Sequence, residues 1–147
     1  MDFIIEEIQA KTTHVIRHAV LRKGQPIESC VFEGDEKTSS IHLGVFTNKK
    51  LIGVLSAYER KHTNLKESLA YQVRGVAVLE AFRGHGVGRL LMRRIEDILS
   101  EKGIPVIWLN ARILAVPFYV KLDYAILGEP FDIPLIGQHY FYYKHLQ

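Results

Sequence analysis

The sequence predicts an α+β fold (three layers, α/β/α) with a mixed, mainly antiparallel central sheet and helices on both faces. Three features carry that expectation. Two β-rich runs, Ile41 to Phe46 and Leu51 to Tyr58, are separated only by Thr47-Asn48-Lys49-Lys50, which reads as an antiparallel hairpin. A glycine-rich turn is followed by apolar residues at helical spacing. Pro105 to Asn110 (PVIWLN) is a short, wholly apolar run, suited to a strand that helices cover on both sides. With 147 residues, 48% hydrophobic and 24% charged, residues 1–147 make one domain. At this length folding buries about 68 to 70% of the unfolded chain's surface, enough to form a core without staples.

In chain order, Phe3 to Ile8 is expected as an edge strand, and Thr12 or Thr13 as the cap of a helix whose apolar face is Val15, Ile16, Ala19 and Val20. Gly24 and Pro26 end that helix. A polar stretch through Ser40 follows, with Glu28, Glu33, Asp35 and Glu36 grouped in it. After the hairpin, Arg60 to Ser68 is a charged connector and Tyr71 to Val78 (YQVRGVAV) a third strand that runs into the glycine turn. Val87, Leu90, Leu91, Ile95, Ile98 and Leu99 then mark a helix, with Gly103 as its stop. Ala115 to Leu122 makes a brief helix with Pro117 in its first turn. Tyr124 to Leu127 and Gln138 to His145 are the last strands, separated by a loop from Gly128 to Gly137.

Composition narrows the partners. Cys30 is the only cysteine, so an internal disulfide or a cysteine-built zinc site is excluded, and a free thiol fits a reducing, cytoplasmic setting. The start, Met1 to Glu7, lacks the pattern of a secretion signal, and no apolar run approaches the ~20 residues needed to span a bilayer. Neither a membrane nor a nucleic-acid partner is expected, because the net charge of +3 is mild and not gathered into a Lys/Arg tract. His14 and His18 are four apart on a helix, but no third ligand accompanies them, so no metal is expected.

The strongest chemical signal is RGHGVG between a strand and an amphipathic helix. Gly84, Gly86 and Gly88 remove side chains where backbone must approach a ligand and where positive φ is needed. Unpaired N–H groups of the first helical turn, Val87 and Arg89 among them, then point at an anion, aided by the helix dipole. Arg83 and Arg89 add charged donors at the ends of the turn. A Walker A loop would need Lys-Ser/Thr after the last glycine, and here Arg89 and Leu90 follow. The dinucleotide fingerprint needs GxGxxG after an early strand. Neither pattern fits.

The stretch Val76-Ala77-Val78-Leu79-Glu80-Ala81-Phe82-Arg83-Gly84-His85-Gly86-Val87-Gly88 resembles the signature of the GNAT superfamily of acyl-CoA-dependent N-acetyltransferases, with Arg83, Gly86 and Gly88 at its key positions. Asn110 to Tyr124 (NARILAVPFYVKLDY) resembles that family's second signature, an Asn before a short helix ending in Phe-Tyr. Asp123 departs from it, standing where the family commonly has Gly, which leaves the form of that turn open. The resemblance implies a splayed strand pair that receives the pantetheine arm of acetyl-CoA (coenzyme A). Backbone groups of Val76, Ala77 and Val78 would hold the arm by β-augmentation, with Asn110 beside it. N–H groups along Gly84, His85, Gly86, Val87, Gly88 and Arg89 would take the pyrophosphate, and an N–H near Val78 would polarise the acyl carbonyl.

Transfer by direct attack requires a neutral primary amine. A lysine-like amine with pKa ~10.4 gives up its proton at about 4.6 kcal/mol at pH 7, so a base or desolvation must help. By the same resemblance Tyr119 is the general acid that protonates the departing thiolate, with help expected near the low end of ~10² to 10⁴. Glu80, Glu28, His42, His139 and Glu129 are candidates for the base, His139 preferred on the acceptor side, and a water relay serves as well. The acidic group Glu28 to Glu36 suggests a cationic acceptor, though such loops are usually just solvated. The sequence leaves open whether the acceptor is a small molecule or a peptide amine, and whether the chain forms a homodimer. A non-catalytic acyl-CoA-binding sensor is the alternative to an enzyme, and a nucleotide-binding regulator is a further one.

Overall fold

The computed structural model describes residues 1–146. Among them are three α-helices, α1 (His14–Val20), α2 (Val87–Glu101) and α3 (Val116–Lys121), and seven strands. The strands are β1 (Ile4–Glu7), β2 (Ile41–Thr47), β3 (Lys50–Glu59), β4 (Tyr71–Val78), β5 (Val106–Arg112), β6 (Ala125–Ile133) and β7 (Gly137–His145). Their hydrogen-bonded order is β1-β2-β3-β4-β5-β7-β6. β4 and β5 pair in parallel, while β1–β2, β2–β3, β5–β7 and β6–β7 are antiparallel, so the sheet is mixed and the class is α+β as expected.

The chain clusters into two compact units. The first, Met1–Tyr58 with Val73–Ile98, holds the hairpin and most of α2. Asn48 and Lys49 form its two-residue turn with φ of 49° and 66°, the doubly left-handed geometry whose twist matches that of the flanking strands. Ile16, Val54 and Ala77 form one buried cluster there, with Ile8, Val20 and Leu51 packed around it. α2 docks on β3 at Gly53, where an added Cβ would lie 2.9 Å from Val87 Cγ1. That contact, with the Leu79 amide bonded to the Ile52 carbonyl at 2.9 Å, holds the start of the helix and the turn before it.

Two expectations for this unit are corrected. Neither Thr12 nor Thr13 caps α1 through its side chain; a 3₁₀ turn, Ala10–Thr13, leads into the helix and the Thr13 hydroxyl donates back to the Ala10 carbonyl at 2.6 Å. The apolar face is also different: Val15 and Ala19 are exposed, whereas Ile16 and Arg17 are buried. The periodicity put Arg17 towards water, but the interior supplies it with partners described below.

The second unit is Glu59–Gln72 with Leu99–Gln147, described here to Leu146. Ala70, Val106, Trp108 and Phe141 are its buried cluster, and the Trp108 indole donates to the Arg60 carbonyl at 2.8 Å, so the charged connector is tied down. After α2, the Gly103 amide bonds the Ser100 carbonyl and the Ile104 amide the Leu99 carbonyl, both at 3.0 Å, a Schellman stop. The expected loop from Gly128 to Gly137 is corrected. β6 continues to Ile133 through a register shift between Leu127 and Phe131, so only residues 134–136 form the turn. A bulge admits Gly128 and Pro130 on an edge strand, which is why those residues did not end it.

Candidate active site

In the first unit, β4 runs into a 3₁₀ turn, Glu80–Phe82, and then into the glycine turn. Gly84 and Gly86 have φ of 82° and 81°, the left-handed region that glycine enters without steric cost. Nothing lies within 4 Å of where a Cβ would sit on either, so both face open space. The Leu90 amide bonds the Gly86 carbonyl at 3.0 Å, which makes Gly86 the last residue before α2. The amides of Val87, Gly88 and Arg89 therefore belong to the first turn and have no carbonyl within the helix to bond. Gly88 needs no positive φ, because it is helical; the expectation of special backbone freedom holds only for Gly84 and Gly86.

Arg83 is exposed and folds back along its own turn. Its Nε donates to the Val78 carbonyl at 3.3 Å and its backbone amide to the Glu80 carbonyl at 3.2 Å. The open amide run thus begins at Gly84, with His85 exposed on it. Within β4, Ala77 points into the core while Val76 and Val78, on the other face, are half-buried. Arg89 is exposed at the start of α2, and Arg93 pairs with Glu96 at 3.2 Å.

In the second unit, β5 and β7 set the register Asn110↔Phe141 and Arg112↔His139. Opposite residues share a face, so Asn110 and His139 lie on one side of this ladder. Asn110 is exposed; His139 is 6% exposed, with its ring 6.1 Å from Phe131 and Nδ1 2.8 Å from the Gly137 carbonyl. His139 is therefore embedded in a strand between two neighbours, rather than at the edge of a long loop.

Tyr119 reaches the ladder through Tyr142, whose neighbour in register is Leu109, on the opposite side from Asn110 and His139. Its ring lies 4.9 Å from Phe118, 5.7 Å from Tyr124 and 5.1 Å from Tyr142. Burial, and then the Tyr142 phenol, push the Tyr119 hydroxyl well above the usual tyrosine range, so it keeps its proton throughout the neutral range. The helix that carries it ends with Asp123 at φ 71°, the Asp123 amide on the Val120 carbonyl and the Tyr124 amide on the Tyr119 carbonyl, both at 3.0 Å. Asp123 adopts the conformation that glycine would, and the turn keeps the Schellman form.

The remaining base candidates separate by environment. Glu28, Glu80 and Glu129 are exposed. His42 is buried with both ring nitrogens engaged, Nδ1 2.6 Å from Ser56 Oγ and Nε2 2.9 Å from the Asp35 carbonyl, which makes it structural. Asp35 leaves the acidic group altogether. Its carboxylate receives Arg17 Nη1 at 2.7 Å, Arg17 Nη2 at 3.1 Å, the Phe32 amide at 2.9 Å and the Tyr58 hydroxyl. Burial alone would raise the Asp35 pKa; the hydrogen bonds from Arg17, Tyr58 and Phe32 and the Arg17 charge outweigh it, and the carboxyl titrates below its ordinary value. Tyr58 is pushed up to about 12 by burial and by its bond to Asp35. This buried network was missed in the sequence. The available signal was Arg17 beside Ile16, four residues after Thr13 and three before Val20.

Among the described residues no three His, Cys, Asp or Glu side chains gather to hold a metal ion, and no helix is long and apolar enough to cross a membrane.

Residues 5–124 match the acetyltransferase (GNAT) family, a span that includes parts of both units. The chain is 41% identical over 143 residues to an uncharacterised N-acetyltransferase, YitI of Bacillus subtilis (strain 168), with 97% of this chain and 96% of the relative covered. Ard1 from Thermoplasma volcanium superposes with a TM-score of 0.79 at 17% identity, covering 100% of this chain and 99% of that one. An aminoglycoside 6'-N-acetyltransferase complexed with coenzyme A gives 0.75 at 14% identity, covering 97% and 96%. The signature over the glycine turn, the mixed sheet and the match across most of its length together show that this chain belongs to the acetyltransferase (GNAT) family.

Proposed function

We propose that the chain moves an acetyl group from acetyl-CoA to a primary amine by direct attack, acting as a single cytoplasmic domain over residues 1–147. The observation that carries the reading is the open turn, Gly84 and Gly86 at φ of 82° and 81° immediately before α2, inside the family match. An anion seated there meets successive amides from Gly84 to Arg89 and the positive end of α2, and Arg89 adds a charge-assisted donor. Diphosphate is the part of coenzyme A with that chemistry. The bound coenzyme A of the aminoglycoside 6'-N-acetyltransferase, a fold neighbour, supports the same cofactor.

Val76, Ala77 and Val78 would present backbone groups to the pantetheine arm, and Asn110 a side-chain amide. Only backbone atoms are needed from Ala77, which suits a side chain committed to the core. Tyr119 is the proposed acid. Its hydroxyl stays protonated in the neutral range and can donate a hydrogen bond to the departing thiolate; because burial holds its pKa above the thiol's value of about 8.5, full transfer of its proton is uphill and its help is mainly that of a hydrogen-bond donor. His139 is the proposed acceptor-side residue. The acceptor is a small-molecule or peptide amine; a cationic one draws less support now that Asp35 is neutralised by Arg17.

Calorimetric titration with acetyl-CoA and a thiol-release assay with an amine panel test this reading. Binding at submillimolar concentration and amine-dependent thiol release are expected. Absence of acetyl-CoA binding overturns it, and binding without release for any amine favours a non-catalytic acyl-CoA sensor.

A further inference from the structure

The Arg17 network ends at a place it has no evident reason to reach. Arg17 is completely buried and donates to the Cys30 carbonyl at 2.8 Å, to both Asp35 oxygens, to Ser56 Oγ at 2.8 Å and to the Tyr58 hydroxyl at 3.1 Å. It therefore ties the segment after α1 to β3. The segment it ties down presents Phe32, 7% exposed, whose ring centroid is 3.9 Å from the Arg17 guanidinium carbon. Arg74 and Arg22 reach the same ring at 4.9 Å and 5.3 Å. The ring edge lies against Gly75 in β4: a Cβ there would sit 3.0 Å from Phe32 Cε2 and 3.6 Å from Arg17 Nε. Arg17 Nε is the one buried side-chain nitrogen or oxygen among the described residues without a hydrogen-bond partner.

Gly75 has φ 67°, in the middle of a strand, directly before Val76. A left-handed residue within a strand turns the following peptide planes out of the regular pleat. Glycine by itself populates negative φ as readily, so this conformation needs support from outside the strand. Phe32 occupies the space on one side of Gly75 that a Cβ would otherwise take. A buried ion pair is weak evidence for stability, since apolar packing often does as well, whereas it does specify one arrangement.

We infer that Phe32, clamped by Arg17 and Asp35, is a positioning residue for acyl transfer: it holds Gly75 in its left-handed conformation and so sets the direction of the Val76 to Val78 backbone groups. The inference rests on the proposed use of those groups by the acyl-CoA arm. It assigns no contact with substrate to Phe32 itself.

Phe32→Ala, with Phe32→Leu in case the larger change unfolds the chain, tests it through two readouts. One is hydrogen exchange across residues 74–79, with β2 as the control segment; the other is kcat, KM and coenzyme A affinity. Exchange at 75–78 is expected to rise about tenfold while β2 is unchanged. The kcat is expected to fall between about tenfold and 10²-fold, the cost of a small misplacement, and coenzyme A affinity to fall by less, about three- to tenfold, because Val76 to Val78 hold the pantetheine arm while the glycine turn still holds the pyrophosphate. An unchanged kcat in a folded variant overturns the inference, and so does exchange that rises equally in β2, the sign of general loosening. If the unaltered protein acetylates no amine, the activity reading fails on its own, and the exchange at 75–78 then decides the placement of Phe32.

Discussion

The Tyr124 amide donates to the Tyr119 carbonyl over 3.0 Å, closing α3 with Asp123 between them at φ 71°. The proposed acid is thereby fixed by a backbone turn that its own residue helps to form. A left-handed L-residue costs roughly 1 to 2 kcal/mol, less for Asp, while glycine adds back about 0.4 to 1 kcal/mol through the unfolded chain. Asp123→Gly is expected to stabilise by about 0.5 kcal/mol and Asp123→Val to destabilise by more than about 1 kcal/mol, both read by denaturant unfolding.

Tyr119→Phe removes the hydroxyl and keeps the ring among Phe118, Tyr124 and Tyr142. The kcat is expected to fall about 10²-fold, with coenzyme A affinity within about threefold. Because burial raises the hydroxyl above the ordinary range, no alkaline loss of activity from Tyr119 is expected up to pH ~9. A variant as active as the parent removes Tyr119 from the mechanism.

Much of this was legible in the sequence, and the exceptions have physical causes. β4 has the expected bounds, Tyr71–Val78, because a strand ending at a glycine turn is delimited by chemistry on both sides. α2 follows its apolar spacing and stops at Gly103. Gly84 and Gly86 take the positive φ expected of them. Arg17 was not legible, since one residue's charge says nothing about partners eighteen and forty-one positions away, as Asp35 and Tyr58 are. Nor was the continuation of β6, because Gly128 and Pro130 read as breakers unless a bulge on an edge strand admits them.

Asp35→Ala strands the Arg17 charge in the interior and is expected to cost about 3 to 5 kcal/mol, measured by urea unfolding at pH 7. The pH dependence has a definite sign. The folded pKa of Asp35 is depressed, so its contribution is complete above the unfolded value of about 3.9 and is lost as pH falls through the folded value. Unfolding free energy measured from pH 5 down to 2 should drop more steeply in the parent than in Asp35→Asn.

Gly86→Trp places a side chain on the open face of the turn and forces a bulky residue to φ 81°. Acetyl-CoA affinity is expected to fall beyond calorimetric detection, by more than about 10²-fold, while the melting temperature shifts only modestly because the turn is exposed. Unchanged affinity would move the cofactor site elsewhere.

The short contact between His139 Nδ1 and the Gly137 carbonyl chooses a tautomer. A carbonyl can only accept, so Nδ1 carries the hydrogen, and in the neutral ring the lone pair is at Nε2. Two residues of backbone at the start of β7 thus decide which nitrogen of this histidine is able to receive a proton.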